Sequence, residues 1–189
     1  MEKLDFIKEV LFDEEDVSRK IPEIRQQILD YYKDVKGVKV FTVLQGGEYF
    51  SELLFSSLPH KKFKMARLSA SSYVNNKKLP NDKISIGIMG SSHIFSDDHI
   101  LVIDDIYETG NTLSKINDIF TMQGATVQNV VLIKRSGHHK FEVPILSYGF
   151  EVTKKDYLVG CGLDYYGQYR KLPYIASVKD GLEKGTEYN

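Results

Sequence analysis

The sequence lacks most of what would tie it to the cell exterior, a membrane or nucleic acid. Cys161 is its single cysteine, so no internal disulfide and no thiolate metal cage can form within the chain. An excess of either charge is missing too: 25 Lys and Arg face 26 Asp and Glu, a net charge of -1. Without a global basic field, DNA and RNA are poor partners. Long apolar runs are absent, and stretches such as 100–103 fall far below the roughly 18 to 20 residues of a bilayer span. No basic and apolar leader precedes the acidic residues of 1–16, so the expected compartment is the cytoplasm. Also missing are a Gly-x-x-x-x-Gly-Lys-Ser/Thr loop and a Gly-x-Gly-x-x-Gly after a strand, which removes the standard triphosphatase and dinucleotide readings.

What is present suits one domain. At 189 residues, 42% hydrophobic and 27% charged, the chain can bury a full core and is too apolar for disorder. No repeat, low-complexity tract or Pro/Gly/Ser linker divides it. Apolar residues at Val17, Ile21, Ile24, Ile28, Tyr31/Tyr32 and Val35 recur at helical steps, with Pro22 read into the first turn and Gly37 as the stop. Val38–Leu44 reads as a buried strand, followed after Gly46 and Gly47 by a helix with Phe50, Leu53, Leu54 and Leu58 inward. Strands are expected at 62–69, 84–89 and 99–104, and the polar stretch 70–83 as a long loop of the kind used for lids. A helix with Leu113, Ile116 and Ile119/Phe120 inward precedes a strand at 126–134. Alternating strands and helices predict an α/β fold with a mostly parallel central sheet and helices on both faces. The tyrosine- and glycine-rich stretch 141–178 reads as a small hood over a core of about 16–140, and 180–189 as a polar tail.

The chemistry is concentrated in 99–113. A buried strand delivers Asp104 and Asp105 to the carboxyl edge of the sheet, where open α/β folds bind ligands. Thr109, Gly110, Asn111 and Thr112 then form a small-residue turn opening a helix, where amides, hydroxyls and the positive helix end converge on an anion. Hydroxyls at one end and a monophosphate at the other describe a ribose 5-phosphate. A phosphoacceptor domain also gathers acids at a strand end, but it needs a further Asp after the next strand, which here ends in Lys134 and Arg135.

Val102-Ile103-Asp104-Asp105-Ile106-Tyr107-Glu108-Thr109-Gly110-Asn111-Thr112-Leu113 resembles the phosphoribosyl pyrophosphate (PRPP) motif of the type I phosphoribosyltransferases. Val43-Leu44-Gln45-Gly46-Gly47 is similar to the pyrophosphate loop of the hypoxanthine-guanine phosphoribosyltransferases, and Ala70-Ser71-Ser72-Tyr73 to their mobile lid. Ile133-Lys134-Arg135, Tyr148-Gly149-Phe150-Glu151-Val152, Leu158-Val159-Gly160-Cys161-Gly162-Leu163-Asp164-Tyr165 and Tyr169-Arg170-Lys171-Leu172-Pro173-Tyr174 match in order, so the resemblance spans about 16–178.

The resemblance implies a type I phosphoribosyltransferase fold with a C-terminal hood, and displacement of pyrophosphate from PRPP by a purine. Its catalysis is mainly positioning and electrostatics. It assigns the ribose hydroxyls to Asp104 and Asp105, and the 5-phosphate to Glu108, Thr109, Gly110, Asn111 and Thr112. Pyrophosphate falls to Gln45, Gly46 and Arg170; the purine to Lys134, which favours a 6-oxo group, Tyr157, which stacks, and Leu158. Asp164 is implied as the Mg²⁺ ligand, and Ser72 and Tyr73 as the lid. Glu108 stands where the family usually has the Asp that accepts the proton of purine N7, and Gln45 where it commonly has Lys. The bond into residue 45 is often cis in the family, and the same is expected at Leu44–Gln45. A homodimer or homotetramer is implied, with PRPP and a 6-oxopurine as partners. A relative preferring xanthine or another base, and a PRPP-sensing regulator without turnover, remain alternatives; Lys134, Asp164 and Arg170 weigh against the regulator. The histidines, without metal spacing, are expected to face solvent, and Cys161 to pack as a small hydrophobe.

Overall fold

The structure is a computed structural model that describes residues 4–59, 61–71, 73–74, 77–78, 84–89 and 93–179. Its first helix, α1 (Glu14–Tyr31), begins at a capping box: Asp16 N donates to Asp13 Oδ1 at 2.8 Å and Asp13 N to Asp16 Oδ2 at 3.2 Å. Two otherwise orphaned amides are thereby satisfied, and Glu14, Glu15 and Asp16 oppose the positive helix end. This start lies earlier than the apolar pattern suggests, so Pro22 is interior rather than in the first turn. The helix tolerates it because Pro22 and Ser18 lie on the exposed side, where the Ser18 carbonyl that loses its amide partner reaches water. Val17, Ile21, Ile24 and Ile28 form the buried stripe, and the helix stops at Tyr31, before Gly37.

The main sheet has the order β6-β3-β2-β7-β8-β9, formed by β2 (Val38–Leu44), β3 (Phe63–Ser71), β6 (Ser85–Met89), β7 (His99–Tyr107), β8 (Thr126–Arg135) and β9 (Ile145–Val152). All neighbours are parallel except β3 and β6, which run antiparallel from Arg67/Met89 to Ser71/Ser85. Helices α1 and α2 (Gly47–Phe55) bury Ile24, Ile28, Phe50 and Leu54 against Leu101, Ile103 and Leu132 on one face. On the other, α3 (Asn111–Thr121) buries Leu113, Ile116 and Phe120 against Phe41, Val102 and Val131. Ile119, expected inward, is 38% exposed, because the buried face follows 113, 116, 117 and 120 and leaves it to one side.

Within 70–83, the stretch expected as a loop, the described residues lie in paired strands. Pairing of β3 continues through Ser71, and β4 (Tyr73–Val74) pairs antiparallel with β5 (Lys77–Lys78). A second difference concerns the hood. Within 141–178, β9 belongs to the main sheet, while β1 (Ile7–Phe12) from the N-terminus completes the small sheet β1-β11-β10 with β11 (Ile175–Val178) and β10 (Leu158–Val159). Ile7, Val159, Tyr165, Tyr174 and Val178 form its own core. No helix among the described residues is long and apolar enough to cross a membrane.

Candidate active site

Because β2, β7, β8 and β9 run parallel, their C-terminal ends share one edge, and the segments leaving it build the site. From β7 come the two acids. Asp104 is buried and accepts from the Asp105 backbone amide at 2.9 Å. Burial, with Asp105 beside it, holds the Asp104 carboxyl well above the usual carboxylate range; burial also raises Asp105, against the pull of the Asp104 hydrogen bond and the Arg170 charge. A carboxyl pair withdrawn from water in this way is suited to hydroxyl donors, which favour its charged form.

The loop after β2 closes on these acids. The Leu44–Gln45 peptide bond is cis. A Cβ at Gly46 would stand 1.8 Å from Asp105 Oδ2, so only glycine lets the loop lie against the acid. After β7, Gly110 takes φ 81° as the N-cap of α3, where a Cβ would also strike the Phe141 carbonyl at 2.1 Å. The N-cap residue Gly110 offers no side chain and no acidic residue occupies the first turn, while Thr109 Oγ1 accepts from Asn111 N at 3.4 Å, so this helix start carries the positive end that suits an anion. The turn is braced from behind: Lys140 N and Phe141 N donate to Thr109 O at 2.9 and 3.1 Å.

Two cavities are bordered by the predicted residues. One, of about 260 Å³, is bordered by Asp105, Glu108, Arg135, Tyr157, Leu158 and Asp164. Tyr157 is 43% exposed, its pKa raised by burial and by Asp164, and Leu158 is buried in β10. The other, of about 250 Å³, gathers Gln45, Tyr49, Gly162, Arg170 and Lys171. Arg170 joins them, donating to Gly162 O at 2.7 Å and lying 2.7 Å from Asp164 Oδ1, while Gly167 N donates to Asp164 Oδ2 at 2.6 Å. Asp164 is thus a turn cap as well as an ion-pair partner. A groove of about 700 Å³ between α2 and the β3–β6 edge is larger but contains none of the predicted site residues.

Among the described residues no three of His, Cys, Asp and Glu converge on a metal-sized point. Asp105 and Asp164 do border the same cavity. One or two carboxylates completed by phosphate oxygens and water is the donor set Mg²⁺ takes, so these residues fit that ion.

Of the predicted residues, Lys134 stands apart: its ammonium lies 5.0 Å over the Tyr148 ring and it does not border the cavity. Successive strand residues leave opposite faces, and the neighbour that enters is Arg135. Ser72 lies outside the described residues, and of Tyr73 only the backbone pairing in β4 is described. Three contributors escaped sequence reasoning. Arg135 is buried and pairs with Glu108 at 2.9 Å; its signal was an arginine ending a buried strand beside the acidic turn. Lys171 adds a cation beside Gln45. His139, expected in solvent, stacks on Tyr107 at 4.0 Å and 8°, with Nδ1 2.8 Å from Glu108 O.

This arrangement has known counterparts. A family model described as a phosphoribosyl transferase domain matches residues 9–165. The hypoxanthine-guanine phosphoribosyltransferase of Bacillus subtilis (strain 168) is 30% identical over 177 residues, covering 93% of this chain and 96% of that protein. That of Dictyostelium discoideum is 27% identical over 180 residues, covering 94% and 98%. The solved structure of hypoxanthine phosphoribosyltransferase from Trypanosoma cruzi, in complex with the product IMP, matches with a TM-score of 0.83 over 96% of this chain and 100% of that one, at 22% identity, a likeness of fold.

Proposed function

This chain belongs to the phosphoribosyltransferase family, and from that premise we propose that it is a purine-salvage enzyme converting hypoxanthine or guanine and PRPP to IMP or GMP and pyrophosphate. The observation carrying this reading is one cavity bordered by Asp105, Glu108, Tyr157, Leu158 and Asp164, which come from separate stretches of the chain.

In this reading Asp104 and Asp105 receive the ribose hydroxyls, and the amides and hydroxyls of 108–112 hold the 5-phosphate. Tyr157 presents its half-exposed ring to the purine, with Leu158 at the ring edge. A purine nitrogen bonds to C1 of the ribose as the bond from C1 to pyrophosphate breaks, and the purine N7 proton passes to Glu108. Gln45, Gly46 and Arg170 receive the pyrophosphate. Mg²⁺, when bound, neutralises pyrophosphate charge; Asp164, with Asp105 nearby, would hold it. The preference for hypoxanthine or guanine over 6-amino purines is supported by the relatives named hypoxanthine-guanine phosphoribosyltransferases; Lys134, which the resemblance assigns to the 6-oxo group, does not border this cavity. Ser72 and Tyr73 are assigned to the lid.

Met65 and Met89, exposed beside Phe55 and Ala66 in the groove along α2, offer apolar surface that a homodimer or homotetramer would cover. Incubating PRPP and Mg²⁺ with hypoxanthine, guanine, xanthine and adenine in turn, and measuring nucleotide and pyrophosphate, tests the function. Product with hypoxanthine or guanine and little with adenine is expected; product with no base would leave a PRPP-binding regulator.

A further inference from the structure

We propose that Arg135 is a positioning residue, a clamp that fixes the Glu108 carboxylate to the strap 154–156 so that the proton acceptor and the purine wall keep one geometry. The inference rests on the reading of Glu108 as proton acceptor and Tyr157 as purine wall.

Arg135 ends β8 with its side chain 4% exposed, whereas Glu108 is 47% exposed. An exposed carboxylate on a turn samples many rotamers, and a general base must sit at a defined distance from the proton it takes. Here three contacts supply that constraint. Arg135 Nε lies 2.9 Å from Glu108 Oε1, an ion pair by distance without the alignment of a hydrogen bond. Its Nη1 donates to Lys154 O, and its Nη2 donates to Asp156 O at 3.0 Å. One planar guanidinium therefore faces the acid with one nitrogen and grips, with the other two, the backbone immediately preceding Tyr157. Lysine carries its three donors on a single nitrogen and cannot span partners set this far apart around a planar fork. His139 meets the Glu108 carbonyl from the following turn, its ring flat on Tyr107, so the main chain of Glu108 is held as well.

The clamp also explains the length of residue 108. The carboxylate must reach the end of a neighbouring strand, and an aspartate, shorter by one C–C bond of roughly 1.5 Å, would withdraw it from the ion-pair distance. Glutamate at this position and Arg135 are a matched pair.

The test is a double-mutant cycle on the full chain, with kcat, KM for PRPP, KM for hypoxanthine and thermal melting measured for Arg135→Lys, Glu108→Gln and the double variant. Arg135→Lys is expected to lower kcat about tenfold through misplacement of the acid, with KM for PRPP unchanged. In the Glu108→Gln background the same substitution should change kcat less than about twofold, because the group it orients has lost its function. Equal losses in both backgrounds, or no loss in the wild type, would overturn the clamp while leaving the reading of Glu108 intact. A Glu108→Gln variant with wild-type kcat would overturn that reading and the clamp with it. Should Arg135→Lys fail to fold, Glu108→Asp carries the test, since Glu108 is half exposed: a kcat loss of about tenfold is expected, and kcat equal to or above wild type overturns the proposal.

Discussion

Arg170 Nη2 lies 2.7 Å from Asp164 Oδ1, the two side chains 26% and 29% exposed. The cation assigned to pyrophosphate and the acid assigned to the metal neutralise one another, so binding of Mg²⁺ and pyrophosphate must exchange one ion pair for two. Asp164→Asn should therefore release Arg170: affinity for metal-free pyrophosphate is kept or improved, while the Mg²⁺ concentration for half-maximal activity rises at least about tenfold, the loss of a charged ligand. Titration calorimetry with pyrophosphate and a Mg²⁺ activity series check both halves; an unchanged Mg²⁺ requirement would remove Asp164 from the metal site.

The buried Asp104 carboxyl costs the fold stability. It is raised well above the usual range by burial and by Asp105, so the folded chain keeps a proton that the unfolded chain has released. Stability then falls as pH rises from the ordinary carboxylate value of about 3.9 toward the raised one. Asp104→Asn keeps an acceptor for the Asp105 amide and removes that cost. Calorimetry should show the variant melting a few degrees above wild type at pH 7.5, about 2–4 °C per kcal/mol, with the difference shrinking toward pH 4, while PRPP affinity drops. A variant melting below wild type at pH 7.5 would contradict this account.

Gly46→Ala places a methyl 1.8 Å from Asp105 Oδ2, so the acid or the loop must move. Circular dichroism should remain that of the wild type, and PRPP affinity should fall by about 100-fold, the scale of a misplaced binding group. Retained affinity would mean that Asp105 does not contact the sugar.

Gln45 borders the cavity that also contains Arg170 and Lys171. Gln45→Lys adds a third cation to a cavity that Glu48 and Glu52 also line and is expected to tighten pyrophosphate several-fold, by about 1 kcal/mol, with the gain fading at high salt. An affinity identical to wild type at low salt would put residue 45 outside the pyrophosphate site.

The pattern of 99–113 was legible because each of its signals is local. Apolar runs become buried strands, and small residues after an acid pair become a turn and a helix start; α3 appears where those signals stand, and β7 begins at His99 as expected but runs through both acids to Tyr107, past the expected end at 104. Strand β2 has the predicted limits, and its cis bond is the expected one. Less legible were features set by partners distant in sequence. Pro22 misdirected the start of α1 because the capping box at Asp13 outweighs the missing amide. The place of β9 in the main sheet depends on its pairing with β8, which composition alone does not encode.

By itself the sequence determined the α/β order, the acid pair near a sheet edge and the small-residue start of α3, since these follow from periodicity and from backbone groups a few residues apart. Tertiary structure alone decided that Arg135, not Lys134, enters the cavity beside Glu108, that Lys171 stands near Gln45, and that Arg170 and Asp164 pair. Strand alternation limits which side a residue can take, but its partners are chosen by the packing of segments far apart in the chain.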